Sequence, residues 1–173
     1  MTDPEPPPWV DPAEAGSLRR RIPFRSRGLE RCTMCALPPS LCICADLPTI
    51  DVATRVLLVI HHVEMKKSTN TGRLAVRILS GGAANVRGAI HGPPRTQVDG
   101  PRLVLFPDPA ARPVTPADRG KVLVVPDGNW GQARRMINRD PDLLGGELVT
   151  VQPAGPSRYG LRRNRRPDAL CTF

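Results

Sequence analysis

Short apolar runs that alternate with helix-like segments are the feature that most constrains how this chain folds. Four such runs, rich in valine, leucine and isoleucine, are Val56–Ile60, Leu103–Phe106, Val122–Val125 and Leu148–Val151. A short run without polar alternation suits a strand that is covered on both faces, as in a parallel sheet. The sequence therefore predicts an α/β fold with a mostly parallel sheet and flanking helices.

Two segments between these runs predict helices. In Thr71–Ser80 the apolar residues recur at helical spacing, with Arg73 and Arg77 four apart on the opposite side. The second helix is expected to start at Asn129, a good N-cap residue, with Gln132 three positions later as an approximate capping box.

Composition limits the class of protein. Hydrophobic residues make up 40% of the 173 residues and charged residues 24%, which suits one folded domain with a small appendage. No run of 18 apolar residues is present, and the N-terminus lacks the basic and apolar regions of a secretory signal. We therefore predict a cytoplasmic protein without a membrane span. Prolines crowd the N-terminus, so residues 1–30 are expected to be a flexible tail.

The charge indicates a polyanionic partner. The chain carries 25 lysines and arginines against 16 acidic residues, a net charge of +9. Arginines cluster in Arg19–Arg31 and Arg158–Arg166, which favours nucleic acid over a charge that serves solubility alone. Only 3% of residues are aromatic, so a base-stacking platform of the RNA-recognition-motif type is not expected.

Four cysteines have metal-ligand spacing. Cys32, Cys35, Cys42 and Cys44 form the pattern C-x₂-C-x₆-C-x-C, which predicts a closed, structural zinc knuckle over residues 31–50. Disulfides are disfavoured without a secretion signal, and a redox C-x-x-C would normally follow a strand. Cys171 stands alone and is expected to be a core thiol.

Polar residues follow two of the predicted strands. His61 and Glu64 come directly after the first strand, and the turn Asn70-Thr71-Gly72 then opens a helix. The carboxyl ends of parallel strands are where open α/β sheets bind ligands, and helix N-termini favour anions. Ordinary capping by Asn70 or Thr71 is the alternative interpretation.

A second polar group, Asp127-Gly128-Asn129-Trp130, follows the run Val122–Val125. A carboxylate at a strand end can act as a general base or hold a cation. The alternatives are that Asp127 caps the next helix and that Trp130 serves packing. A third group mixes turn residues with arginines and the only tyrosine, in Pro156–Arg162.

Taken in order, these motifs resemble the DTW-domain family over residues 31–173. The resemblance rests on the cysteine pattern, His61-x-x-Glu64, Asn70-Thr71-Gly72-Arg73-Leu74, Phe106-Pro107, Asp127-Gly128-Asn129-Trp130 and Tyr159-x-Leu161-Arg162. Members are tRNA-uridine aminocarboxypropyltransferases, which move the 3-amino-3-carboxypropyl group of S-adenosylmethionine to N3 of a uridine and release 5′-methylthioadenosine. The resemblance thus implies tRNA as a partner and S-adenosylmethionine as cosubstrate.

The resemblance also implies a fold and a set of site residues. The implied fold for residues 51–173 is a SPOUT-like catalytic domain with a C-terminal trefoil knot. Asp127, as general base, Trp130 and Glu64 are the implied catalytic residues. The implied cosubstrate-binding residues are His61, Asn70, Thr71, Gly72, Arg73, Phe106, Pro107, Asp127, Gly128, Tyr159, Leu161 and Arg162.

The chain departs from the family pattern at two points. Asn129 stands where the family signature Asp-x-Thr-Trp has threonine, and the chain stops at Phe173, where members continue into a further helix. A truncated or unusually short member is therefore expected. Two other functions stay open at this point: a non-catalytic zinc-knuckle RNA-binding protein, and a SPOUT-like RNA methyltransferase.

Overall fold

A computed structural model describes residues 30–88 and 95–152. Six strands form one sheet: β1 Arg55–His61, β2 Ala83–Arg87, β3 Arg102–Leu105, β4 Arg112–Pro113, β5 Val122–Asp127 and β6 Glu147–Thr150. The α-helices of this part are α1 His62–Met65, α2 Gly72–Ile78 and α3 Trp130–Ile137, and short 3₁₀ turns occupy Pro39–Leu41, Cys44–Asp46 and Pro116–Asp118. No helix in these ranges is long and apolar enough to cross a bilayer.

All pairings in the sheet are parallel, in the order β2-β1-β5-β3-β6-β4. Strand β2 lies directly on one side of β1. Strand β3 lies on the other side of β1, beyond β5. Such a reversal opens a crevice at the carboxyl ends of the central strands. Here the reversal lies at β1 and β5.

Both faces of the sheet are buried, and β1 shows how. Leu57 and Val59 point to the face covered by α3, where Met136 is 1% exposed. Leu58 and Ile60 point to the other face, where they pack with Ala75 and Val76 of α2. Burial on both faces accounts for the uninterrupted apolar runs, because neither face of these strands meets water.

The structure confirms the predicted α/β fold with a parallel sheet and flanking helices. Strands β2 and β4 were missed. Asn85 interrupts the apolar pattern of β2 and is buried because its amide bonds the Thr96 carbonyl at 3.0 Å and Asp142 at 2.7 Å. β4 has only two residues, too few for a pattern.

Several predictions fall on residues outside the described ranges. These are the tail except Glu30, both arginine clusters except Arg31, Cys171, and the third polar group Pro156–Arg162. The knot predicted for the C-terminus also involves residues 153–173, so the SPOUT-like kinship and the knot stay predictions.

The two predicted helices are present with shorter bounds. Helix α3 has the expected capping box: Asn129 Oδ1 accepts from the Gln132 N–H at 2.9 Å, and Gln132 Oε1 accepts from the Asn129 N–H at 2.8 Å. Arg73, predicted on the side of α2 opposite the apolar residues, does not lie at the surface. Arg73 is 1% exposed, because the face of α2 that carries it is covered by other parts of the chain.

The capping box predicts a local stability effect. Replacing Asn129 by alanine removes the acceptor for the Gln132 N–H, so Asn129→Ala should lower the free energy of unfolding by about 1 kcal/mol. Asn129→Thr keeps an acceptor and should cost less. Asn138→Ala, exposed at the other end of α3, is the control in urea denaturation. An equal loss in Asn129→Ala and Asn138→Ala would contradict the capping assignment.

Candidate active site and cysteine cluster

The carboxyl ends of β1 and β5 lie side by side. In the parallel register Ile60 is opposite Asp127, so the segment that leaves β1 at His61 passes directly beside the Asp127 carboxylate. Phe106, which follows β3, lies on the other side of β5. The strand pairing therefore brings together the first and second polar groups of the sequence.

A hydrogen bond joins these two groups across the crevice. Asn70 Nδ2 donates to Asp127 Oδ2 at 2.5 Å. Gly72, the first residue of α2, lies so close that a Cβ there would be 2.7 Å from the same carboxylate oxygen. Asp127 does not cap α3, since Asn129 does so. The carboxylate is thus held by the turn before α2, which excludes the capping interpretation of Asp127.

Asn70 also carries an acceptor that the described part of the chain leaves unused. The residue is 8% exposed, and within the described part of the chain no donor reaches its Oδ1 atom. A buried carbonyl oxygen without a hydrogen bond is costly, and native proteins rarely leave one. Its position beside Asp127 marks the crevice as a place for a ligand that carries a donor.

The histidine pair lies at the end of β1. His61 Nδ1 accepts from the Val63 N–H at 3.3 Å, which places the proton of the neutral ring on Nε2. Burial lowers the pKa of His61 and His62 adds to this effect, whereas Glu64 opposes it and Arg87 and Arg135 make smaller lowering contributions. His61 is therefore a neutral imidazole at pH 7, able to donate from Nε2.

Glu64 lies in the short helix α1 beside this pair. It is 7% exposed, and its Oε1 accepts from Lys67 Nζ at 2.6 Å. Its carboxylate is thus paired within the loop that connects β1 to α2. This pairing suits a role in holding that loop, and the catalytic role implied by the resemblance stays a prediction.

Two aromatic rings form the other wall of the crevice. Phe106 is buried, and its ring meets that of Trp130 edge-on with centroids 5.9 Å apart. Trp130 itself is 59% exposed, because it begins α3 and projects from the start of that helix. Pro107 and Thr71 are exposed at the rim, and Gly128 is half-buried against Gln132.

Arg73 lies under the site and is not part of its rim. Its Nη2 donates to the Met65 carbonyl at 2.5 Å, which ties α2 to the end of α1. Burial lowers the pKa of Arg73, and the charges of Cys35 and Cys32 oppose that effect. The guanidinium is therefore within electrostatic reach of the cysteine cluster as well as of the site loop.

The four cysteines lie together, as their spacing predicted. Their Sγ atoms all lie within 4.8 Å of one another, with Cys32 and Cys44 at 3.7 Å and Cys35 and Cys42 at 3.8 Å. A tetrahedron of thiolates with Zn–S bonds of about 2.3 Å has edges of about 3.8 Å. All four are free thiols, so this geometry fits a four-coordinate zinc ion.

The electrostatics of the cluster also fit a cation. Burial opposes ionisation of Cys32, but N–H donors from Cys35 and Met34 outweigh it and lower the pKa to about 7. Burial and the neighbouring Cys32 raise the pKa of Cys44. A bound cation would offset the negative charge of neighbouring thiolates.

A comparison with protein families decides the kinship. A family model described as the DTW domain matches residues 29–173. The chain belongs to the DTW-domain family. This family is associated with tRNA modification. No solved structure matches the chain.

The DTW domain brings most of the predicted site residues into one crevice. His61, Asn70, Gly72, Phe106 and Asp127 meet at the carboxyl ends of the central strands. Tyr159, Leu161 and Arg162 lie outside the described residues. The sequence did not predict the two arginines that lower the pKa of His61. They are Arg87, at the end of β2, and Arg135, in α3. Only their places, at the end of β2 and in the last turn of α3, could have indicated them.

The cysteine cluster of the DTW domain predicts a metal content. Purified protein should carry about one zinc per chain, measured by inductively coupled plasma mass spectrometry. The double substitution Cys32→Ser/Cys44→Ser should lose the metal and the fold of residues 31–50, because binding and local folding are one equilibrium. Cys171→Ser is the control and should keep it. Stoichiometric zinc in the double variant would refute the assignment.

The close approach of Gly72 to Asp127 gives a second test. Gly72→Ala places a methyl group 2.7 Å from Asp127 Oδ2 and should lower the free energy of unfolding by about 1–3 kcal/mol. Gly131→Ala, in α3, meets its nearest atom at 3.5 Å and should leave stability unchanged or raise it by up to about 1 kcal/mol. Equal responses of the two variants in urea denaturation would show that the crevice is loosely packed.

Proposed function

We propose that this DTW domain transfers the 3-amino-3-carboxypropyl group of S-adenosylmethionine to N3 of a uridine in tRNA and releases 5′-methylthioadenosine. Family membership supports the tRNA substrate, and the crevice between β1 and β5 supports an active site. In this proposal residues 51–173 form the catalytic domain, residues 31–50 a zinc knuckle, and residues 1–30 a tail.

The observation that carries the proposal is the Asn70–Asp127 pair. The pair combines a carboxylate that can accept a proton with a buried amide oxygen that no donor of the described residues reaches. The α-ammonium group of the cosubstrate is a donor of the right kind for Asn70 Oδ1. One ligand could then donate a hydrogen bond to Asn70 Oδ1 while its reactive carbon lies near Asp127, where uridine N3 would attack it.

Asp127 is proposed as the general base. Uridine N3 carries a proton that must leave as its nitrogen forms a bond to carbon. S-adenosylmethionine supplies the electrophilic carbon, and its C–S bond breaks as the N–C bond forms. Asp127 takes the N3 proton, and Asn70 fixes the orientation of the carboxylate. A positioned base of this kind typically contributes about 10²–10⁴-fold in rate.

The cosubstrate carboxylate needs a partner as well. The Arg73 guanidinium is buried, and part of it is used by the Met65 carbonyl. The backbone N–H groups of Thr71 and Gly72, at the start of α2, are therefore the better candidates, since the Asn70 N–H already donates to the Lys67 carbonyl at 3.2 Å. His61, Phe106-Pro107, Gly128 and the Tyr159-x-Leu161-Arg162 segment are proposed to complete the binding site.

Trp130 is proposed to shape the place of the target base. Its ring is exposed, and its edge-on contact with Phe106 fixes its direction at the mouth of the crevice. Single-stranded bases are commonly held on aromatic faces, and an enzyme that acts on N3 must reach an unpaired uridine. Trp130→Phe should therefore weaken tRNA binding more than it slows transfer.

The base assignment predicts the behaviour of Asp127→Asn. The amide can still accept from Asn70 but cannot take a proton, so the variant should fold, bind both substrates and transfer about 10²–10⁴-fold more slowly. Higher pH should partly restore the rate, because uridine N3 then ionises without a base. Mass spectrometry of tRNA nucleosides measures the product.

Asp51→Asn is the matched control. It changes an exposed carboxyl that precedes the amino end of β1 and should keep wild-type activity. Normal turnover by Asp127→Asn would reject the base assignment. Formation of S-adenosylhomocysteine in place of methylthioadenosine would favour the methyltransferase alternative, and tRNA binding without any transfer would favour the RNA-binding one.

A further inference from the structure

The solvent side of α3 is a basic face. Helix α3 buries Ala133 and Met136 against the sheet and turns its other side to water. The exposed residues of this side define the α3 outer face: Trp130, Gly131, Arg134 and Arg135 in the helix, and Asn138 and Arg139 directly after it. At 100° per residue the four helical positions span about 140° of the circumference. No acidic residue is among them.

The three arginines of the α3 outer face are exposed. In the described part of the chain no carboxylate pairs with Arg134, Arg135 or Arg139. Arginines elsewhere do pair: Arg87 with Asp140, Arg95 with Asp140 and Asp142, and Arg112 with Asp118 and Glu147. Exposed guanidinium groups that no carboxylate of the described residues engages are open to an external anion, and the guanidinium fork suits phosphate.

The position of this face connects it to the crevice. Trp130 starts the helix three residues after Asp127, and its ring lies against Phe106 at the mouth of the site. Arg135 is within electrostatic reach of His61 at the end of β1. The helix is about 12 Å long, so its arginines extend outward from the aromatic wall over a distance of a few nucleotides.

We infer that the α3 outer face is a docking surface for the tRNA strand that enters the active site, with its arginines on backbone phosphates and Trp130 at the target base. This inference rests on the proposed function. Phosphate contacts fix register without reading sequence, whereas the aromatic wall receives the base. Favourable placement of Arg134 and Arg135 near the negative end of the helix dipole is the competing explanation for the same residues.

The test is the salt dependence of tRNA binding. Each phosphate contact contributes about 0.7–0.9 to the slope of log K against log salt, so Arg134→Gln/Arg135→Gln should reduce the slope by about 1.4–1.8. The matched control is Arg55→Gln/Arg119→Gln. It removes the same charge from exposed positions near the amino ends of β1 and β5 and should leave the slope nearly unchanged. Affinity for S-adenosylmethionine should be equal in all three proteins.

The outcomes separate this inference from the proposed reaction. Equal slopes for the two double variants would overturn the docking surface, even if the wild-type protein transfers the group normally. A lower melting temperature with an unchanged slope would likewise assign the arginines to the helix dipole. A wild-type protein that binds tRNA with the predicted slopes but forms no modified uridine would retain the surface and reject the reaction.

Discussion

The parallel pairing of β1 with β5 is the constraint on which the candidate site depends. Its register sets Ile60 opposite Asp127, so both strands end at the same level. The loop after β1 and the turn after β5 then open on one crevice, with α2 starting on one side and α3 on the other. Asn70 can reach Asp127 at 2.5 Å only because this register holds. A slip by one residue would reverse the faces of the strand and separate the pair.

The segment that carries the cysteine cluster is hydrogen-bonded to the far end of α2, the helix that begins beside Asp127. Ile50, at the end of the knuckle, bonds the far end of α2: its N–H donates to the Ile78 carbonyl at 2.6 Å, and its carbonyl accepts from the Ser80 N–H at 2.9 Å. Near the start of α2, Arg73 lies within reach of the cluster. Metal binding by the cysteine cluster would thus stabilise the segment that ends at Ile50 and is bonded to α2. The first residue of α2 packs against Asp127.

Much of this arrangement could be predicted from local sequence. The central strands are buried on both faces, so their apolar runs are unbroken, and polar residues just beyond them mark the edge where ligands bind. The cysteine spacing predicted the cluster. The buried position of Arg73 and the strand that contains Asn85 were beyond local patterns, because their partners come from distant segments. Asn85 is satisfied by Thr96 and Asp142, and no local periodicity carries that information.

A double-mutant cycle between Asn70 and Asp127 tests most directly whether the pair acts as one unit. The measured quantity is kcat/KM for transfer to tRNA in wild type, Asn70→Ala, Asp127→Ala and the double variant. If Asn70 works by orienting Asp127, the double variant should be about as slow as Asp127→Ala alone, because the orienting contact has nothing left to orient. Losses that multiply in the double variant would show that the two residues act independently and would contradict the account of the site.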